Sequence, residues 1–183
     1  MNKAIVLYWS QGGNTERVAA AIEQGLGEGG FDTSIRKVQD ADDIDFFDYD
    51  LICFGVPAYN WHPPKQADDY LKAKFAHYRK EGRIRVAAPS LREKNTLVFC
   101  TYSGPHTGIR EAIPAGKYIG QFFEHLGYTV VDEWYVLSEF HGSDENNTLG
   151  RMGDIRGLPN QQDLDRIATQ ARVLASRLQS VTP

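Results

Sequence analysis

The chain has 183 residues, 42% of them hydrophobic and 24% charged, a length and balance that suit one domain, 1–183, with a core of its own. Against 24 aspartates and glutamates stand 20 lysines and arginines, and the resulting net charge of -4 excludes a general attraction to nucleic acid or anionic membranes. Two cysteines, Cys53 and Cys100, share no close spacing with each other or with a histidine, so they are expected as buried free thiols of a reducing compartment, with no metal site.

Met1-Asn2-Lys3 leads directly into an apolar run, leaving no room for a secretory leader, and no stretch is apolar enough to span a membrane; a cytoplasmic location is expected. Ala4 to Tyr8 is too short for a helix and lacks alternation, which predicts a strand buried on both faces. Ser10 to Thr15 follows as a small polar loop. From Asn14 the spacing of Val18, Ile22 and Leu26 is that of one helix face. Strand, loop and helix in this order leave backbone N–H groups free at a helix start, where the dipole favours an anion. Gly12 and Gly13 let the backbone approach that anion, and Ser10, Asn14 and Thr15 add side-chain donors. No lysine follows the glycines, as a nucleoside-triphosphate loop requires, and the dinucleotide spacing is missing, so the loop suits one terminal monophosphate.

Gly27 to Gly30 predicts a turn, and Phe31 to Val38 an edge strand. Asp40 to Asp50 is acidic and reads as a solvated short helix or turn, with Ile44, Phe46 and Phe47 on the core. Leu51 to Val56 is a central strand, and Pro57 to Pro64 a rigid, aromatic loop. Pro64 suits the first turn of a helix running to about His77, with Ala67, Tyr70, Leu71, Lys74 and Tyr78 on one side. Residues 79–94 are basic and read as a surface arm or subunit contact at the amino ends of the strands. Thr96 to Thr101 is the fourth strand, Tyr102 to Gly108 its outgoing loop, and a helix to Leu126 follows. Tyr128 to Leu137 is the fifth strand. Ser138 to Pro159 is a long irregular segment of the kind used for lids and binding loops. Leu164 to Leu178 is helical throughout, with Asn160 as its cap.

Five strands alternating with helices imply an α/β doubly wound parallel sheet in the order 2-1-3-4-5, with a ligand crevice between the carboxyl ends of the first and third strands. Three loops meet there: Ser10 to Thr15, Pro57 to His62, and Tyr102 to Gly108.

Val6-Leu7-Tyr8-x-Ser10-x-x-Gly13-x-Thr15-x-x-x-Ala19-x-x-Ile22 resembles the signature of flavodoxins and flavodoxin-like FMN-dependent oxidoreductases. The resemblance implies FMN as cofactor. Its phosphate would lie on Ser10, Gln11, Gly12, Gly13, Asn14 and Thr15, and its ring between Pro57, Ala58, Tyr59, Asn60, Trp61 and the loop of Tyr102, Ser103, Gly104 and His106. Tyr59, Trp61 and Tyr102 are the stacking candidates, the Ser103 and Gly104 backbone suits the pyrimidine edge, and His106 is the one candidate proton donor. Many electron-carrying members have, next to flavin N5, a glycine whose peptide turns over on one-electron reduction. This chain has none between Val56 and Pro64, so weaker stabilisation of that state is expected.

Three functions follow from the resemblance. One is an NAD(P)H-dependent reductase of a quinone or similar small acceptor, with Arg151 and Arg156 near the donor's phosphates. Another is an electron carrier docking to redox partner proteins, and the last a non-redox regulatory module. A homo-oligomer is compatible with each.

Overall fold

Residues 2–180 are described by the computed structural model; Met1, where the expectation about a leader begins, and residues 181–183 lie outside them. Lys3–Tyr8 (β1), Asp32–Lys37 (β2), Leu51–Pro57 (β3), Asn95–Tyr102 (β4) and Thr129–Leu137 (β5) form one parallel sheet in the order β2-β1-β3-β4-β5. The helices are Asn14–Glu28 (α1), Lys65–Lys80 (α2), Ile113–His125 (α3), the short Asp144–Thr148 (α4) and Gln161–Ser180 (α5).

The alternation of β1 divides the core into two layers. Ala4, Val6 and Tyr8 face Val18, Ile22 and Leu26 of α1 and Ile167, Ala171 and Leu174 of α5. Ile5 and Leu7 face the other way, into a layer with Tyr70 and Leu71 of α2 and Ile119 and Phe123 of α3. Burial on both faces is why the strand reads as a continuous apolar run. A Cβ on Gly25 would lie 2.1 Å from the Ala168 carbonyl oxygen, so α1 and α5 meet backbone to backbone. That contact accounts for a glycine in a helix interior, where it costs about 1 kcal/mol relative to alanine. At the start of α5, Asp163 N donates to Asn160 Oδ1 at 3.0 Å and Asn160 N donates to Asp163 Oδ2 at 2.9 Å. This reciprocal capping box fixes the helix at the expected residue.

Three local expectations need correction. Gly27 and Glu28 belong to α1, because the helix keeps its buried face through Leu26 and closes on Gly29. Pro64 precedes α2 in extended conformation, and the helix continues past His77 to Lys80 because Tyr78 is wholly buried. The basic segment is also partly anchored. Arg83 donates twice to the Asp45 carboxylate, at 2.9 and 2.7 Å, and Lys94 donates to the carbonyls of Phe47 and Tyr49 at 3.0 and 2.9 Å. Burial opposes the charge on Asp45, yet hydrogen bonds from Arg83 and the Phe47 N–H hold its carboxyl below the usual carboxylate range. Asp45 is therefore a structural anchor in the acidic stretch.

Among the described residues no helix is long and apolar enough to cross a membrane.

Candidate functional site

At the carboxyl ends of the strands lies an open cleft of about 770 Å³, within the range of roughly 300–1,000 Å³ usual for small-molecule sites. A smaller cavity of about 300 Å³ lies near the amino ends, beside Phe47, Arg83, Leu91 and His125. It is lined largely by the basic segment 79–94, and none of the three loops that meet at the crevice reaches it.

The first loop ends on Gly13, whose φ of 89° sends the chain into α1 through the left-handed region. Its N–H donates to Ser10 Oγ at 3.1 Å, which leaves the serine proton available to an anion. Thr15 and Thr101, both buried, share a hydrogen bond of 2.8 Å between their hydroxyls. When Thr101 is the donor, Thr15 keeps its own proton for a ligand. Asn14 Nδ2 donates to the Glu139 carbonyl at 2.9 Å, tying this loop to the segment after β5.

In the second loop, Tyr59 and His62 exchange both backbone hydrogen bonds, Tyr59 N to His62 O at 2.9 Å and His62 N to Tyr59 O at 3.0 Å. The two residues between them, Asn60 at φ 47° and Trp61 at φ 69°, are both left-handed, which makes a type I′ hairpin turn. Such turns favour Asn-Gly. A tryptophan at the second position is strained, a condition concentrated at functional sites. Tyr59 meets Trp9 edge to face, with centroids 5.9 Å apart at 86°. Trp9 is only 6% exposed, and its Nε1 has no partner among the described residues.

The third loop turns at Gly104, φ 57°, where a Cβ would lie 2.7 Å from the Gly108 carbonyl oxygen. Glu111 Oε1 accepts from His106 N at 2.8 Å and Thr107 N at 2.6 Å, holding the loop from within. Burial raises the pKa of both Tyr59 and Tyr102, so their hydroxyls remain neutral through the physiological range.

Twelve of the residues expected from sequence line the cleft: Ser10, Gln11, Gly12, Asn14, Thr15, Pro57, Ala58, Tyr59, Asn60, Tyr102, Ser103 and His106. Gly13 and Gly104 shape their turns without lining it, and Trp61, 57% exposed, stands outside its wall. Thr101 and Glu111 also line the cleft without having been expected there, and the segment after β5, expected as a lid or binding loop but without named site residues, contributes Ser138, Glu139, Phe140, His141 and Asn146. Of the two arginines expected near a donor, Arg156 is held by Asp154, its Nε and Nη2 donating at 2.9 and 2.6 Å, and that pairing lowers the Asp154 carboxyl to a pKa of about 2. Arg151 has its side chain beside Gly108 and does not line the cleft.

A cleft at this switch point, with a monophosphate seat and aromatic walls, defines a mononucleotide-binding protein of the doubly wound class; the switch-point rule was itself drawn from folds of this kind. The flavodoxin family model matches residues 6–166, and the chain belongs to the flavodoxin family. FMN is the cofactor of this family, and electron transfer its activity.

Solved structures with the same fold include flavodoxin 2 of Bacillus cereus, with 15% identity, 96% of this chain and 98% of that chain covered, and a TM-score of 0.65. The WrbA-like flavodoxin of Agrobacterium tumefaciens is 14% identical, with 98% and 99% covered and a TM-score of 0.61. An archaeal flavodoxin is 19% identical, with 94% and 98% covered and a TM-score of 0.55. No curated protein matches the chain.

The residues present fit FMN. Two hydroxyls able to donate, of Ser10 and Thr15, line the cleft at the start of α1, and the buried, unpartnered indole N–H of Trp9 lies beside the second loop.

Proposed function

We propose that this chain is an FMN-dependent reductase that takes electrons from NAD(P)H and passes them to a quinone or similar small acceptor. When bound, FMN supplies the redox chemistry. The protein's part is to bind, orient and shield: Ser10, Gly12 and Thr15 would hold the phosphate, Tyr59 and Tyr102 would wall the ring, and Ser103 would meet its polar edge. His106 lines the cleft, with its backbone fixed by Glu111.

The observation that carries the reductase reading is the segment after β5. Its Arg151 N donates to the Pro105 carbonyl at 2.8 Å, so it closes against the third loop as well as the first. A ring in this cleft would be walled by four segments, which suits a small donor and acceptor entering in turn. Electron transfer to a docked protein is the second reading, favoured by the exposure of Tyr59 and Trp61, 40% and 57%, on the rim. The buried free thiols Cys53 and Cys100 support a reducing, cytoplasmic setting.

Rapid mixing of the FMN-loaded protein with NADPH or NADH under anaerobic conditions separates the readings. Loss of the visible flavin absorption within seconds is expected. Persistence of the oxidised spectrum with both nucleotides would assign the protein to the carriers.

A further inference from the structure

The first loop carries no cation of its own. Its donors are hydroxyls, amides and backbone N–H groups, and the one basic residue in the following turn, Arg17, is exposed and does not line the cleft. A phosphate monoester is an anion of up to two charges near neutral pH, so a positive group on the open side of the seat would add a charge-assisted bond.

His141 is one of two histidines that line the cleft, and it lies against the first loop. The His141 ring lies against Gly12: a Cβ built on the glycine would be 2.1 Å from His141 Cδ2 and 2.8 Å from Nε2. His141 is exposed and lines the cleft, and its ring nitrogens make no hydrogen bond among the described residues.

The segment that carries the ring is fastened from several sides. Asn147, 3% exposed, receives the Phe140 N–H on Oδ1 at 2.8 Å and donates from Nδ2 to the Phe140 carbonyl at 2.9 Å, like a neighbouring strand. Gly157 N donates to Glu139 Oε2 at 2.7 Å, and Asn14 Nδ2 binds the Glu139 carbonyl. The backbone immediately before His141 is thus bound both to the rest of its own segment and to the phosphate loop. Gly12 is the position where only a hydrogen leaves room for the ring.

The geometry points to His141 as a ligand of the FMN phosphate, delivered by residues 138–158 as a flap over the seat. The inference rests on the FMN reading of the cleft. The flap closes the phosphate side, and the imidazole brings a ring N–H donor to a loop that carries no basic side chain.

The test is the affinity of the purified protein for FMN and for riboflavin, read by quenching of flavin fluorescence, in the parent and in the His141→Ala, His141→Gln and His141→Lys variants. Circular dichroism verifies that each variant is folded. His141→Ala is expected to lose about tenfold or more in FMN affinity, the worth of one hydrogen bond to a charged group, while riboflavin binding changes by less than about twofold. His141→Lys should recover most of the loss and His141→Gln only part of it. Equal losses for both flavins, or no loss in His141→Ala, would overturn the assignment while leaving the FMN site intact. Failure of the parent protein to bind FMN at all would overturn the reading of the cleft instead.

Discussion

A Ser10→Ala, Thr15→Val double variant is expected to bind FMN at least about a hundredfold more weakly than the parent, with riboflavin affinity changed by less than about threefold. Two hydrogen bonds to a charged group are removed, each worth about 1.5–3 kcal/mol, and 1.4 kcal/mol is a factor of ten. Both hydroxyls are able to donate. Ser10 Oγ already accepts from Gly13 N–H at 3.1 Å, and Thr15 Oγ1 can accept from Thr101 across 2.8 Å, so each has its proton left for the ligand. Riboflavin lacks the phosphate and feels neither loss. The valine also strands the Thr101 hydroxyl in the core, so a thermal melt should show a destabilisation of about 1–3 kcal/mol beside the binding effect. Equal weakening for both flavins would mean the phosphate lies elsewhere.

Asn60→Gly is expected to increase the one-electron-reduced flavin that accumulates on anaerobic photoreduction, whereas the parent accumulates little. The peptide between Asn60 and Trp61 is the centre of a type I′ turn, with φ of 47° and 69° at the two positions. Turning that peptide over converts the turn to type II′, whose first central position is the preserve of glycine. For asparagine the backbone conformation required there costs about 1–3 kcal/mol, or about five- to a hundredfold in the equilibrium. Removing the side chain removes that cost. Near-complete conversion of the parent to the radical form, or an Asn60→Gly variant that behaves as the parent does, would contradict the argument.

What the sequence disclosed, and what it did not, follows the range of the interactions. The run Ala4 to Tyr8, the loop Ser10 to Thr15 and the spacing Val18, Ile22, Leu26 are local signals, and the Asn160 cap is another; all are found in place. The two-sided burial of β1, β3 and β4 made the strand order readable. Residues 138–159 have no period, because their course is set by single long-range bonds. Asn147 to Phe140, Arg151 to Pro105 and Asn14 to Glu139 leave no pattern in a sequence, and so His141 was missed. Asn60 was readable as a left-handed position, since asparagine tolerates it. Trp61 was not, because the hydrogen-bonded pair Tyr59 and His62 imposes a conformation that tryptophan itself disfavours. The pairing of Arg83 with Asp45 was hidden for a related reason: two charge-rich stretches look solvated until the fold brings them together.

The cleft at the carboxyl ends of β1, β3 and β4 is the proposed seat of FMN. Titration of the purified protein, stripped of any bound flavin, with FMN while following the visible absorption tests it most directly. One equivalent should bind, with the ring's absorption bands shifted and its fluorescence quenched. A protein that leaves the FMN spectrum and fluorescence unchanged would contradict the account and favour a regulatory module on the same fold.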